Sequence, residues 1–264
     1  MKKAFNKTIL MLVVIAIMST VLSVFSFAEG GANVTVTIKN GGIVVARESV
    51  EVTDIDEDGA LTINDALYCA HEKFYDGGAA AGYGSGMSDW GLSLTKLWGD
   101  NSGSFGYFVN DASAWSLTDP VKEGDYVYAF VYEDKTGWSD AYSYFDKSSV
   151  SAVSGEEITL NLTVIGYDAD YNPVPTPCEG ATITVDGKET SFVTDSEGNV
   201  TVTIPDAGSH VISAVSKTAI LVSPICLAQI NPGTNDNGLA VLAVCVMVAI
   251  LSASLVIRKK INEK

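Results

Sequence analysis

The chain has 264 residues, with 16 Lys or Arg against 32 Asp or Glu and a formal charge of −16 at pH 7. So acidic a protein repels nucleic acid and anionic lipid and favours cations or basic partners. With only two histidines, His71 and His210, and with no GxSxG, phosphate-cradling Gly-rich loop or metal-spaced cysteine pair, the sequence offers no support for catalysis. A non-enzymatic protein is expected.

The first residues have the zones of a secretory signal. Lys2, Lys3 and Lys7 flank an apolar run over residues 8–18, and Ser26-Phe27-Ala28 sets small residues at −3 and −1 of a cut after Ala28. The run is shorter than the roughly 20 residues that cross a bilayer, which favours a cleaved signal peptide over 1–28 rather than a retained signal anchor.

From Val34 the text alternates, VTVTIKN then GGIVVARESVEV, and the two runs meet at Asn40-Gly41-Gly42, a hairpin signal. An acidic loop follows: Asp54-Ile55-Asp56-Glu57-Asp58-Gly59-Ala60-Leu61-Thr62-Ile63-Asn64-Asp65. Carboxylates at positions 1, 3 and 5, Gly at 6, an apolar residue at 8 and an acid at 12 give the spacing of a Ca²⁺ loop. Spacing by two turns alternate side chains onto one ion, and Gly59 permits the bend that brings position 7 round. Asp54, Asp56 and Asp58 are expected to donate side-chain oxygens, Ala60 its carbonyl and Thr62 an oxygen directly or through water, with Asp65 closing the site. The competing reading is a solvated acidic turn capping a helix, with Asn64 or Asp65 as the N-cap.

Apolar residues at helical spacing predict a helix over 63–75. Residues 77–86 read as a mobile small-residue loop, and 92–97 as a short helical patch. Strands resume at SFGYFVN and DYVYAFVYED, with a turn at Gly124-Asp125. Tryptophans 90, 98, 115 and 138 crowd this half; they suit a core and sheet surface, or a stacking platform if a pair of them is exposed. A lone histidine on a helix, His71, reads as structural.

Two strands, a helix and two more strands are the order of a β-grasp domain. VTVTI, Gly106-Tyr107-Phe108-Val109-Asn110 and Val121-Lys122-Glu123-Gly124-Asp125-Tyr126-Val127 resemble the transcobalamin-like C-terminal β-grasp family, with Asp111 where its members carry Gly. The resemblance covers about residues 32–134 of a domain expected over 32–146; cobalamin binding belongs to some members and does not follow from the fold. The acidic loop resembles a single dockerin repeat, where a dockerin proper has two.

A polar stretch around residues 147–156 reads as a linker. Beyond it ITLNLTVIGYD, ATITVDGKE, NVTVTIPDAG and HVISAVS are short alternating strands, the pattern of a β-sandwich over 157–230. Thr194-Asp195-Ser196-Glu197-Gly198-Asn199-Val200-Thr201 resembles the turn of bacterial Ig-like and carboxypeptidase-regulatory-like modules, which implies a spacer or stalk. Cys178 and Cys226 lie at opposite ends of this segment, and an exported location permits a disulfide between them.

Asn231-Pro232-Gly233-Thr234-Asn235 opens the last section, 231–237. An uncharged span at 238–257 and a basic tail at 258–264 follow. The span is long enough for one transmembrane helix with its basic flank in the cytoplasm. The whole resembles a Gram-positive sortase sorting signal, which implies a cut between Thr234 and Asn235 and attachment to the cell wall; otherwise the span stays in the membrane.

The fold class expected is therefore mixed: an α+β β-grasp-like domain, then an all-β Ig-like sandwich, between a signal peptide and one C-terminal transmembrane helix. The protein is expected to leave by the Sec pathway and stay at the cell surface, a Ca²⁺-stabilised head binding an extracellular ligand or protein. The alternatives are a structural wall or pilus-like component and a cobalamin-like small-molecule binder.

Overall fold

The computed structural model describes residues 31–233 apart from residue 171. The signal peptide, the apolar span, the basic tail and the Thr234–Asn235 bond lie outside the described residues. Among the described residues no helix is long and apolar enough to cross a membrane. The protein is mostly β.

The first sheet begins with a hairpin of β1 (Gly31–Asn40) and β2 (Gly42–Thr53). After it come α1 (Ile63–Phe74), a short α2 (Gly78–Gly82), and a ribbon of β3 (Gly84–Ser88) and β4 (Gly91–Lys96). The chain then adds β5 (Phe105–Val109), β6 (Ala112–Ser113) and β7 (Tyr126–Val131). The sheet order is β2-β1-β7-β5-β6, with β7 inserted parallel to β1. Helix α1 lays Ile63, Ala66, Leu67 and Ala70 into this sheet, all fully buried against Val34, Val36 and Ile38 of β1. Spacing by three and four residues puts these side chains on one face, and burial of that face is what holds a 12-residue helix in water.

Strand β7, YVYAFV, is buried at every position. Period-2 geometry explains how. Val127, Ala129 and Val131 join the core beneath α1, whereas Tyr126, Tyr128 and Phe130 face away from it into a second, aromatic core.

That second core is shared with the rest of the chain. Strands β8 (Ala141–Phe145), β9 (Ser149–Val153), β10 (Glu157–Tyr167) and β11 (Pro173–Pro177) are followed by β12 (Thr182–Val185), β13 (Lys188–Val193) and β14 (Asn199–Thr203). Last come β15 (Gly208–Val215), β16 (Leu221–Val222) and β17 (Cys226–Asn231). One sheet runs β11-β10-β8-β16, with β14 also pairing β10; the other runs β13-β12-β15-β17-β9. Alternate residues Ile158, Leu160 and Leu162 of β10 meet Ile183, Ile212 and Ala228 from the other sheet, which makes this lobe a two-sheet sandwich. Tyr142 of β8 stacks on Phe108 of β5 with centroids 3.8 Å apart and planes 8° from parallel. The Tyr128 hydroxyl donates to the carbonyl of Ser223 at 2.8 Å. The two lobes thus meet through aromatic side chains.

Four expectations change. Residues 92–96 belong to β4 and not to a helix, because Leu92 and Leu94 alternate with Ser93 and Thr95 and pair with β3; so short an apolar run fits either period. Residues 77–86 are ordered into α2 and β3. A Cβ on Gly82 would lie 2.5 Å from the Tyr75 ring, so glycine there allows the segment to close on the end of α1. The expected linker contains β9, which pairs in parallel with β17, and β8 belongs to the sandwich although it was expected in the first lobe. Cys178 and Cys226 are buried free thiols, not a disulfide. Burial raises both thiol pKa values, that of Cys226 to about 11 with help from Asp146, which disfavours the thiolate that disulfide exchange needs.

Candidate functional site

The loop between β2 and α1 is organised by its own carboxylates. Asp54 accepts from the amides of Asp58 at 3.2 Å and Gly59 at 2.8 Å, and Asp58 accepts from the amide of Ala60 at 2.9 Å. Glu57 and Gly59 take positive φ, 58° and 90°. The second is free of steric cost only for glycine. This path brings one oxygen from each of Asp54, Asp56 and Asp58 to within 4.8 Å of one another.

The electrostatics of the three differ. The Gly59 amide, followed by those of Asp58 and Glu57, holds Asp54 below the usual carboxylate range. Withdrawal from solvent and then the charges of Asp58, Asp65 and Asp54 push Asp56 up. Three carboxylates at this spacing repel one another, and a hard divalent cation offsets that repulsion directly. Ca²⁺ takes about six to eight oxygens from one concave site, and these side chains fit the first half of such a set.

The far end of the loop does other work. Thr62 is the N-cap of α1, and Asp65 completes a capping box. Asp65 Oδ2 accepts from the Thr62 amide at 2.8 Å and the Thr62 hydroxyl at 2.7 Å, while Oδ1 accepts from the Ile55 amide at 3.0 Å. Fully buried, Asp65 therefore ties the start of the loop to its end. Of the six residues nominated from sequence, Asp54, Asp56 and Asp58 converge, while Thr62 and Asp65 are engaged by the cap. Oδ1 of Asp65 keeps acceptor capacity beyond its single amide. Asn64, not among the nominated ligands, links the cluster to the lobe: its amide donates to Asp56 at 3.4 Å and its oxygen accepts from Tyr83 at 2.7 Å. The N-cap is thus Thr62, where Asn64 or Asp65 was expected, because the backbone turns helical only at Ile63.

His71 is fully buried. Its Nδ1 lies 2.6 Å from the Leu67 carbonyl and its Nε2 accepts from the Trp98 amide at 3.0 Å, which fixes a neutral tautomer. Burial lowers its pKa in the same sense. Both nitrogens are spent on backbone groups, with no nucleophile among these contacts.

Trp90 and Trp115 are 86% and 87% exposed. They sit on abutting loops: the Ser116 hydroxyl and the Leu117 amide both donate to the carbonyl of Leu92, at 3.2 and 2.9 Å. Two large apolar rings left in water on adjoining loops are an arrangement that folding alone does not explain. Next to Trp115 a cleft of about 520 Å³ opens between the lobes, walled by Phe108 and Trp115 on one side and Ile165, Tyr167, Pro173 and Pro175 on the other. Sequence spacing does not single out this cleft, since its walls come from two lobes. Two signals in the sequence touch it: Trp115, one of the tryptophans read as a possible stacking platform, and Asp111, a carboxylate where the resembled family has glycine.

No family model and no curated protein matches the chain. Among solved structures it is similar to Dscam1 isoform 9.44, N-terminal four Ig domains, at 10% identity and a TM-score of 0.21, over 56% of this chain and 32% of that one. Dscam1 isoform 8.4, N-terminal four Ig domains, aligns at 9% identity and a TM-score of 0.22, over 58% of this chain and 41% of that one. The chain thus spans about a third to two fifths of the length of these structures, and superpositions so loose leave function to the site's own geometry.

Proposed function

We propose that this is a non-enzymatic bacterial cell-surface protein, a β-grasp-like ligand-binding head carried on an Ig-like module. It is exported through the Sec pathway and held at the surface by a membrane span or by sortase attachment. The observation that carries the binding role is the pair of nearly fully exposed tryptophans, Trp90 and Trp115, on abutting loops, the second of them lining the interlobe cleft. Exposed aromatic rings cost solubility and are retained where they meet a ligand or partner. Calcium, bound by Asp54, Asp56 and Asp58 with the Ala60 carbonyl and Asp65, stabilises the head by pinning the loop that enters α1. The cation supplies counter-charge to the carboxylates and does no chemistry.

The test is a binding screen on the full chain in nonionic detergent, with glycans, peptides and small organic ions as probes. At least one class is expected to bind, and the Trp90→Ala/Trp115→Ala variant is expected to lose it with an unchanged melting temperature. No binding by any class, or binding indifferent to both tryptophans, would overturn the reading.

A further inference from the structure

The interlobe cleft combines aromatic walls with a single uncompensated charge. Its volume of about 520 Å³ falls in the range of small-molecule sites, roughly 300–1,000 Å³. Phe108 and Ile165 form a buried floor, and Trp115 and Tyr167, the latter 56% exposed, stand at the mouth. Asp111 supplies the charge. Its Oδ1 accepts from the Tyr142 hydroxyl at 2.7 Å. The ion pairs of the described residues are Lys39–Glu133, Lys135–Asp100, Lys147–Asp146 and His210–Asp186, and they leave Asp111 without a cation. Arg47 borders a neighbouring polar cleft that Asp111 also lines, but its guanidinium lies over the Tyr126 ring at 3.8 Å.

The position of Asp111 is itself informative. Asn110 and Asp111 both have positive φ, 51° and 63°, in the tight turn joining β5 to β6. Such a turn is most relaxed with glycine second, so a carboxylate is held there against local preference.

Aromatic faces are electron-rich and attract cations, most strongly where water is partly excluded. An anion would be repelled by Asp111. A neutral sugar needs several hydrogen-bonding groups, and these walls are largely hydrocarbon, with two prolines that lack an N–H. From this charge complementarity we infer that the cleft binds a small organic cation with an alkylated ammonium head, seated against Trp115 and Tyr167 with Asp111 as counter-charge. The inference rests on the reading of the first lobe as a binding head and adds the chemical class of its ligand.

Choline chloride is the probe, titrated into the full chain in nonionic detergent at constant ionic strength. The readout is the Trp115 indole N–H resonance, assigned by comparison with Trp115→Phe. Parallel titrations use 3,3-dimethylbutanol, the neutral carbon isostere, and a neutral disaccharide. Choline is expected to shift Trp115, with the isostere about tenfold weaker, as a cation–π contact reinforced by a carboxylate implies. Asp111→Asn keeps the turn and the acceptor for Tyr142 while removing the charge, and is expected to weaken choline by about tenfold with an otherwise native spectrum. Tyr167→Ala is expected to weaken it as well. Equal binding of choline and isostere, or choline binding unchanged in Asp111→Asn, would overturn the inference. A disaccharide shift without a choline shift would also overturn it and leave the binding head standing; silence from all three probes removes the ligand class, and the wider screen then decides the head.

Discussion

At the residue scale, His210 is the side chain whose protonation the fold uses. Its Nδ1 lies 2.7 Å from Asp186 Oδ2 and its Nε2 2.9 Å from the Asp206 carbonyl, so both nitrogens donate when the ring is charged. The Asp186 hydrogen bond chiefly, helped by the Asp206 carbonyl, raises the pKa of His210 above its ordinary value of 6.5. A group whose folded pKa is raised contributes stability that is complete below its unfolded pKa and is lost as pH rises through the folded one. His210→Ala is therefore expected to lower the melting temperature more at about pH 5.5 than at about pH 9, a difference that a pH series of melts reads directly. Equal losses at both pH values would show that the ring acts by packing alone. Asp186 takes the complementary shift: partial burial pushes it up, but the His210 and Val211 bonds outweigh that and hold it low.

At the scale of elements, the loop and the helix it enters are one unit with two fastenings. The capping box at Thr62 and Asp65 needs only the protein, whereas the cluster at Asp54, Asp56 and Asp58 is proposed to gain from Ca²⁺. The two are separable. Thr62→Ala is expected to cost about 0.5–2 kcal/mol, the range for loss of an N-cap, in EDTA and in Ca²⁺ alike. Asp54→Ala is expected to cost stability chiefly when Ca²⁺ is present. If Thr62→Ala lost its effect in EDTA, Thr62 would be acting as a ligand and not as the cap. The same elements show what the chain makes legible. Helix α1 could be read from Ile63, Ala66, Leu67 and Ala70, because burial of one stripe imposes a period that survives in the sequence. The acidic loop could be read as a spacing of two, but its division of labour could not, since whether Asp65 turns toward Asp56 or toward Thr62 depends on where α1 begins. Strand β4 was hidden because Leu92 and Leu94 fit a strand or a helix until β3 is beside them. The cleft was hidden for another reason: Phe108 and Tyr167 become neighbours only when two lobes dock.

At the scale of the molecule, that docking joins the two lobes through a stiff aromatic neck. Tyr126, Tyr128 and Phe130 point out of the first sheet into a cluster with Tyr142, Ile165 and Val222 of the sandwich. Burial and stacking of such rings couple the lobes, because separating them exposes most of the outer face of β7. The described part of the chain is expected to melt in one transition by calorimetry. Tyr142→Ala, which removes the stack on Phe108 and the hydrogen bond to Asp111, is expected to cost about 3–5 kcal/mol, as for large core aromatics, and to split that transition in two. Two independent transitions already present in the unaltered protein would show that the lobes fold separately. A stiff neck also keeps the cleft formed, since its walls belong to different lobes.

The central claim is a calcium-stabilised binding head, and thermal unfolding with and without Ca²⁺ tests it most directly. For a site in the weak extracellular class, with Kd of about 10⁻⁴–10⁻³ M, about 2 mM free Ca²⁺ adds roughly 0.6–2 kcal/mol. That corresponds to a rise of roughly 1–8 °C in the melting temperature relative to EDTA for a protein of this size. The rise is expected to vanish in Asp54→Ala/Asp58→Ala while that variant still melts cooperatively in EDTA. An identical melt with and without Ca²⁺, or a rise that persists in the double variant, would contradict the account.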